Sequence, residues 1–561
     1  MRLTDLPYTP PTENPPPGRS LVPASSLESA DRAERSAQPE RAARRGRDEH
    51  PDHTEQPERT ALRGWRRWLP THKRFVTWLI VVLAAGLIGS AFGPGWNPQP
   101  MTAAIAPQTP DTTISTGVPT ARLGTYQVAS STVTITLRDG TLIPAVVKRP
   151  VGAGSVVPGM LFIHGTGTSS ARDFGRETEA IASTGIITVV PEKRVANYTT
   201  THRDYLQLAA DFEDVYREML SWEDVDARHS GLYAVSEGCF VAPIVATSAK
   251  AVNYVALISA PVLPIRQQGA YAADAYLREI HAPARLRAAI PKLIGQDFGP
   301  DTFRYIDFDA APYEKQMTMP VLMLYGTADN SMPTIQGPQM MARYLEEAGN
   351  SALTVRYYKD ADHGLQINRS KLSRAAMQDT ADWVNGLPFT ATAQPRVAGD
   401  QPRQAFVAPT LTAGGWFTAQ TALYIALGGV ALLALSIVLV AVCWIPVRGH
   451  RLSNFSGSGA ALNLASLSVV GAWAVFLVYL VAVAHIALTY SHNLLIVQGG
   501  FALVHLTALG AAWMHVRAAF RSWNARPGMG RIARVTTLLT LCAQAVLLMS
   551  LGYWNAFPAV L

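Results

Sequence analysis

The sequence predicts a mostly parallel α/β sheet with helices on both faces, joined to transmembrane α-helices. Short apolar strands alternate with helical patterns between Thr125 and Leu387, as in parallel sheets whose crossovers are helices. Outside this region, five runs carry almost no charge and are long enough to span a bilayer. Apolar residues make up 48% of the chain and charged residues 16%, a balance that favours membrane segments over a wholly soluble protein.

The N-terminal part is predicted to be a tail followed by a membrane anchor. Residues 1–62 are rich in Pro, Ser, Glu and Arg and poor in aromatic residues, so they predict a disordered cytoplasmic tail. Within residues 63–93, a basic group precedes the apolar run Phe75–Phe92 and places the N-terminus in the cytoplasm. A cleaved signal peptide is the alternative, but the long tail before the run favours an uncleaved anchor. Residues 94–124, rich in Pro and Thr, predict a linker.

Residues 125–390 are predicted to form the folded domain, which begins with two strands joined at an Asp139-Gly140 turn. The predicted strands are Tyr126–Leu137, Thr141–Lys148, Met160–His164, Ile186–Val190, Leu232–Val235, Tyr254–Ser259, Val321–Tyr325 and Thr354–Tyr358. The predicted helices are Ala171–Ser183, His202–Ser221, Cys239–Ala249, Thr334–Glu347 and Lys371–Asn385. Right-handed crossovers gather the loops at the carboxyl ends of the strands, so a site is expected there.

The interval 261–319 is too long to be a plain connection. It contains two helical patterns, Ala272–Ile280 and Ala284–Leu293, and several aromatic residues. Because long insertions between packed elements are often lids, this interval predicts a cap over the site. An insertion that only packs on the domain is the alternative.

The C-terminal part is predicted to be a linker, residues 391–417, and a four-helix transmembrane module, residues 418–561. Its apolar runs are Leu423–Ile445, Leu462–Leu488, Leu494–Val516 and Val535–Tyr553. Arginines follow the first and third runs, at Arg448, Arg451, Arg517, Arg521, Arg526, Arg531 and Arg534. Arginine-rich loops lie in the cytoplasm, so the chain is predicted to cross the cell membrane five times with its folded domain outside.

Ser236 lies between an apolar strand and a helix of small residues, in Ala234-Val235-Ser236-Glu237-Gly238. Small residues two positions to either side let the strand and helix approach closely, and the tight turn lifts the hydroxyl above the sheet edge. When this pattern stands alone, a strand end with a capping serine is the favoured interpretation. Three further motifs lie at predicted strand ends: Leu161-Phe162-Ile163-His164-Gly165, Gly326-Thr327-Ala328-Asp329-Asn330-Ser331-Met332-Pro333 and Asp360-Ala361-Asp362-His363-Gly364.

With these four motifs in order, the region from about Thr125 to Leu387 resembles the α/β-hydrolase superfamily, in its esterase and dienelactone-hydrolase-like branch. Ala234 stands where the family pattern has glycine. The resemblance implies an α/β-hydrolase fold with a helical cap insertion and chemistry without a cofactor or metal. The chain would then be such a hydrolase fused to a C-terminal multi-pass membrane module.

The resemblance also implies the catalytic roles. Ser236 would be the nucleophile, His363 its base, and Asp329 the acid that orients His363. Asp360 and Asp362 are closer to His363 in sequence, but residues on one short loop rarely reach the far ring nitrogen, so loop capping is preferred for them. The oxyanion donors would be the amides of Glu237 and Thr166, with Gly165 as the alternative to Thr166.

Together these features predict a membrane-anchored, extracytoplasmic serine hydrolase that cleaves a small-molecule or lipid ester through an acyl-enzyme. An acyltransferase acting on an envelope lipid or sugar, a serine peptidase and a catalytically silent binding domain remain alternatives. Much of the net charge of +7 lies in arginine clusters beside the apolar runs, so it does not indicate nucleic-acid binding. Three scattered cysteines form neither a disulfide framework nor a metal site. The excess of arginine over lysine suggests a bacterial source.

Overall fold

A sheet of nine strands forms the centre of the folded domain. The computed structural model describes residues 58–93, 95–196, 198–199, 201–249, 251–295, 304–411, 419–444, 446–447, 450–451, 454–488 and 493–558. The predicted tail, as far as residue 57, lies outside these ranges.

The strands are β1 (Gln99–Pro100), β2 (Gln127–Thr136), β3 (Leu142–Val151), β4 (Val157–Ile163), β5 (Ile187–Pro191), β6 (Val225–Val235), β7 (Val255–Ile258), β8 (Val321–Gly326), β9 (Leu353–Tyr358), β10 (Gln366–Ile367), β11 (Lys371–Leu372), β12 (Val397–Gly399), β13 (Phe406–Val407), β14 (Pro446–Val447) and β15 (His450–Arg451). The helices are α1 (Glu58–Ser90), α2 (Gly175–Ala182), α3 (Tyr205–Leu220), α4 (Gly238–Ser248), α5 (Ile265–Glu279), α6 (Ala284–Ile294), α7 (Ala311–Glu314), α8 (Gln336–Glu347), α9 (Arg374–Asn385), α10 (Ala419–Trp444), α11 (Gly459–Leu488), α12 (Gly500–Ala525) and α13 (Arg531–Tyr553).

The sheet is mostly parallel, with the order β12-β9-β8-β7-β6-β4-β5-β3-β2. Strand β3 is antiparallel to β2 and β5, whereas the other neighbours are parallel. Side chains alternate between the two faces of a strand: Leu161 belongs to the apolar cluster that includes α3, α4 and α8, and Phe162 belongs to the cluster that includes α2 and α9. This arrangement confirms the predicted α/β-hydrolase fold, with helices on both faces of the sheet.

Four helices of the folded domain begin later than predicted, and in two of them local hydrogen bonds stop the helix. The helix expected from Ala171 begins at Gly175, since the Asp173 carboxylate accepts from the amides of Ser169 and Ser170 and forms a turn. The helix expected from Lys371 begins at Arg374, where the Ser373 side chain caps it. Such side-chain bonds to the backbone compete with helix formation.

The described residues of the two predicted linkers, 95–124 and 391–411, are instead part of the folded domain. Ile105 and Ile114 are almost fully buried, and β1 pairs with β13. Strand β12, from the second segment, extends the sheet in parallel beside β9. Neither segment shows a hydrophobic period. The first segment is held by single buried apolar side chains, and the second pairs with a sheet edge that would otherwise be open. The expectation of extended linkers was wrong for both.

Five of the described helices are long and apolar enough to cross a membrane: Lys73–Ser90, Tyr424–Val442, Gly459–Ile486, Leu495–Gly528 and Arg531–Tyr553. The third predicted run extends beyond its apolar part, because α12 continues to Ala525 and takes Arg517 and Arg521 into the helix. The connection to α13 is therefore short. The amide of Gly530, between α12 and α13, donates to the carbonyl of Asn454, between α10 and α11. The two connections that carry the arginines therefore contact each other.

Helices α5, α6 and α7 form a helical insertion between β7 and β8, where the cap was predicted. Side chains of α5 and α6, including Tyr276, Leu277 and Leu286, share one apolar cluster with α11, α12 and α13. The insertion therefore packs against the ends of the long apolar helices that face the folded domain.

Candidate active site

Ser236 occupies the sharp turn between β6 and α4. Its backbone is left-handed, with φ 54°, a conformation that is strained for a residue other than glycine. A Cβ atom on Gly238 would lie 2.6 Å from the carbonyl oxygen of Ile163, so the helix can start this close to β4 only with glycine there. The predicted elbow and its need for a small residue at position 238 are thus both seen in the structure.

Asp329 and His363 lie on the loops that follow β8 and β9. These loops are tied together, because the amide of Thr327 bonds the carbonyl of Tyr358 and the amide of Ala328 bonds that of Ala361. His363 Nδ1 donates to Asp329 Oδ2 over 2.9 Å. Ser331 Oγ donates to the other carboxylate oxygen of Asp329 over 2.6 Å, so the acid is held from both sides.

The Asp329–His363 pair changes the pKa values of both groups. Burial lowers the pKa of His363, but the Asp329 carboxylate and its hydrogen bond outweigh burial and raise the pKa above its ordinary value. Burial raises the pKa of Asp329, yet its interactions with His363 and Ser331 bring that pKa below the ordinary value. Asp329 is therefore a carboxylate at neutral pH, and it stabilises a positive charge on His363.

The loop of His363 is held one strand away from Ser236. Ser259 Oγ, at the end of β7, donates to the carbonyl of His363 over 2.9 Å, and β7 is the neighbour of β6, which Ser236 follows. Adjacent strands lie about 4.8 Å apart. Within the described residues, Ser236 Oγ and the His363 ring share no hydrogen bond, so their pairing stays a prediction.

The two other carboxylates considered for the acid have different partners. Asp362 Oδ1 accepts from the amides of Gly364 and Gln366 at 3.0 and 2.9 Å and so caps its own loop. Asp360 is exposed, and its amide donates to Thr327 Oγ1. This geometry favours Asp329 as the partner of His363.

The loop expected to supply an oxyanion donor runs directly beside Ser236. A Cβ atom on Gly165 would lie 3.2 Å from Ser236 Cβ, and Thr166, the next residue, is exposed. Lys193 Nζ donates to the carbonyl of Gly165 over 2.8 Å and so fixes this loop from behind. His164 is buried, bonds the carbonyl of Pro191, and has its pKa lowered to about 4 by burial, so it is a neutral support for the loop.

The side chain of Glu237 has a role that the sequence reasoning missed. Its carboxylate is buried, accepts from the Tyr198 hydroxyl and the Arg203 guanidinium, and accepts from the Tyr205 hydroxyl over 2.9 Å. Lys193 Nζ lies 3.6 Å away. A glutamate between an apolar strand and an apolar helix requires buried donors, and that requirement is the signal in the sequence. Lys193 thus links Glu237 to the Gly165 carbonyl, and so ties the loops on both sides of Ser236.

A cavity of about 1100 Å³ lies beside the Asp329–His363 pair, and both residues are among its lining residues, whereas Ser236 is not. Among the residues that the structure describes, no three His, Cys, Asp or Glu side chains are grouped so that they could hold a metal ion.

Part of the folded domain matches a known protein family. Residues 210–386, which include Ser236, Asp329 and His363, match the family described as "BAAT / Acyl-CoA thioester hydrolase C terminal". No curated protein matches the sequence.

Several solved structures resemble the domain. An esterase from the archaeon Pyrobaculum calidifontis is 19% identical, with 47% of this chain and 85% of that chain covered and a TM-score of 0.37. Brefeldin A esterase, a bacterial homologue of human hormone sensitive lipase, is 19% identical over 56% of this chain and 86% of its own, with a TM-score of 0.35. A Klebsiella pneumoniae protein described as a dienelactone hydrolase is 14% identical over 47% of this chain and 99% of its own, with a TM-score of 0.34.

The sheet order and the loops that carry Ser236, Asp329 and His363 define an α/β-hydrolase fold, and residues 210–386 are similar to a thioester-hydrolase family. The folded domain is joined to helices that suggest membrane association.

Proposed function

We propose that the chain is a membrane-anchored, extracytoplasmic serine hydrolase that cleaves carboxylic esters through an acyl-enzyme. The observation that carries this proposal is the 2.9 Å hydrogen bond between His363 and Asp329. The loop of His363 is bonded to the end of β7, the strand beside β6, and the strained turn of Ser236 follows β6. A histidine oriented by a buried carboxylate beside a serine on a tight turn is the arrangement that activates a serine nucleophile.

In the proposed reaction, Ser236 Oγ attacks the acyl carbon of the ester while His363 Nε2 takes the hydroxyl proton. The carbonyl oxygen becomes an oxyanion that accepts from the amides of Glu237 and Thr166. His363 then gives its proton to the leaving alcohol, and the acyl group remains on Ser236. A water molecule, deprotonated by His363, releases the acid and restores the serine. Asp329 keeps Nδ1 protonated and stabilises the imidazolium during both steps.

The sidedness rests on charge and on the direction of the helices. The carbonyls near the C-terminal ends of α11 and α13, at Ile486 and Tyr553, accept hydrogen bonds from the cap. The connection that carries Arg526 lies at the opposite end of α13. Because arginine-rich connections favour the cytoplasmic side, this arrangement supports an extracytoplasmic hydrolase domain.

An acyl thioester is the second candidate substrate, because the family description for residues 210–386 names acyl-CoA thioester hydrolases. The same serine and histidine serve both substrates, since an acyl carbon is attacked in each. Comparing kcat/KM for one acyl chain, presented as an oxygen ester and as a CoA thioester, distinguishes the two.

The proposal is tested by labelling intact cells with a membrane-impermeant fluorophosphonate, which reacts with activated serines. We expect labelling of the full chain without cell lysis. A protein labelled only after lysis would contradict the sidedness, and one that is never labelled would contradict the serine mechanism and favour a silent binding domain. Addition of sugar or lipid alcohols to the assay tests for acyl transfer, which would yield a new ester in place of the free acid.

A further inference from the structure

The cavity at the candidate site joins two chemically different parts of the molecule. Asp329 and His363 line it on the side of the sheet, and Leu480, Val483 and Ala484 of the membrane helix α11 line it as well. The cap helices complete the lining with Leu277, Leu286 and Leu293. Its volume of about 1100 Å³ lies just above the range for pockets that enclose drug-sized ligands. A short ester would leave most of it empty.

One face of α11 is turned towards the cavity and another faces outward. Leu480, Val483 and Ala484 follow the spacing that places side chains on one helix face. Val478 and Val481 lie on other faces and are 69% and 70% exposed, whereas Val483 is 8% exposed. The outward face is where lipid would contact the helix, so the cavity lies directly beside the lipid-facing surface.

The cavity also extends to the depth of the lipid chains. Leu480 lies six residues before the end of the candidate span Gly459–Ile486, which is about 9 Å at 1.5 Å per residue. The 28-residue span measures about 42 Å, against about 30 Å of hydrocarbon in a bilayer. If the span is centred in the bilayer, Leu480 lies about 3 Å inside the hydrocarbon layer.

The cap is fastened to the ends of the membrane helices by a set of polar contacts, which we call the cap contact: Tyr276, Arg285 and Lys292. Tyr276 donates to the carbonyl of Ile486 over 3.0 Å, and Lys292 donates to that of Tyr553 over 2.7 Å. Arg285 donates to the carbonyl of Phe557, just beyond α13. Cations and donors are favoured at helix C-termini, where carbonyls lack partners. The cap contact therefore keeps the cavity at the level of the membrane surface.

We propose that the cavity binds esters with a long apolar chain, and that these substrates enter it sideways from the membrane leaflet. The chain lies between α11 and the cap helices, and the ester carbonyl reaches Ser236 beside His363. This inference rests on the proposed serine hydrolase activity and names its substrate class. The polar residues of the lining include Arg369 and Arg403 but also Glu279 and Asp360, so the headgroup is not selected by one sign of charge.

The test uses the full chain in phosphatidylcholine vesicles and two chromogenic substrates, p-nitrophenyl butyrate and p-nitrophenyl palmitate. Val483→Trp places a large ring in the cavity wall, and Val481→Trp makes the same change on the exposed face of α11. We expect the ratio of palmitate to butyrate kcat/KM to fall about tenfold or more in Val483→Trp, because several methylenes lose their binding site. The ratio should stay at its wild-type value in Val481→Trp.

Ala484→Leu provides a smaller filling of the same wall, in case Val483→Trp does not fold, and it should lower the ratio in the same direction. Equal ratios in wild type, Val483→Trp and Ala484→Leu would overturn the inference while leaving the hydrolase activity in place. A wild-type protein that cleaves neither ester would instead refute the proposed function, and the substrate class would fall with it.

Discussion

The two sides of the cavity are built by different physical means. On the side of the sheet, directional hydrogen bonds hold Asp329 and His363, on loops whose positions follow from the strand order. On the membrane side, Leu480 and Val483 are held by apolar packing, which has no preferred direction. The comparison teaches that the catalytic side depends on single atoms, whereas the membrane side depends on shape and volume. Substitutions on the two sides should therefore have effects of very different size and kind.

The largest effect is expected on the catalytic side, at Ser236. Ser236→Ala removes the proposed nucleophile, so hydrolysis of p-nitrophenyl butyrate should fall on the order of 10⁴-fold or more. The melting temperature should change little, because a small hydroxyl is lost from a partly exposed turn. Steady-state kinetics and thermal unfolding of the purified protein measure both. Near wild-type turnover in the variant would show that the elbow is wrongly assigned.

A slightly smaller loss is expected at Asp329. Asp329→Asn leaves the side-chain shape but removes the charge that stabilises the imidazolium, and we expect kcat to fall about 10³- to 10⁴-fold. Asp362→Asn is the matched control, because Asp362 caps its loop and should cost far less. Parallel kinetics on the two variants give the ranking. A larger loss in Asp362→Asn than in Asp329→Asn would show that Asp362, on the loop of His363, is the acid.

The pH dependence of activity offers a finer test of the same pair. In the proposed mechanism neutral His363 is the base, so kcat/KM should fall as the pH drops through its pKa, which Asp329 raises above the ordinary value. Without the Asp329 charge the imidazolium is less stable, so the acidic limb of the residual activity of Asp329→Asn should move to lower pH, by about one unit or more. A pH profile from 5 to about 9 for both proteins measures it. If the acidic limb of the pH profile stays in place or moves to higher pH in Asp329→Asn, the group that titrates is not His363 paired with Asp329.

The smallest effect is expected in the cap contact. Tyr276→Phe removes one hydroxyl that bonds the carbonyl of Ile486, and we expect a loss of about 1 kcal/mol in the free energy of unfolding. Tyr344→Phe removes the same atom from a half-buried ring on the sheet domain and should cost about 0.5 kcal/mol or less. Unfolding of both variants in the same detergent compares them. The pH profile should be the same in both, because neither tyrosine touches His363.

The two sides of the cavity also differ in how much of them could be predicted from the sequence. The strand–helix alternation and the positions of Ser236, Asp329 and His363 after strands could be predicted, because turn chemistry and strand ends leave local patterns. The membrane side could not, because α11 is apolar on every face: Val481 is exposed and Val483 buried, and nothing local distinguishes them. The burial of Ile105 and Ile114 could not be predicted either, because no local pattern distinguishes a buried isoleucine from an exposed one in a segment without a hydrophobic period. The partners of the Glu237 carboxylate could not be predicted either. Lys193 and Arg203 are far from Glu237 in sequence, and only the folded chain brings them close to it.

The acyl-enzyme on Ser236 is the central claim, and it can be trapped directly. Full-length protein in phosphatidylcholine vesicles is mixed with p-nitrophenyl palmitate, quenched in acid during the first turnover, and digested for mass spectrometry. We expect the palmitoyl group on the peptide that contains Ser236, and no such adduct in Ser236→Ala. Release of palmitate by the wild-type protein with no acyl group on Ser236 at any quench time would contradict the proposed mechanism.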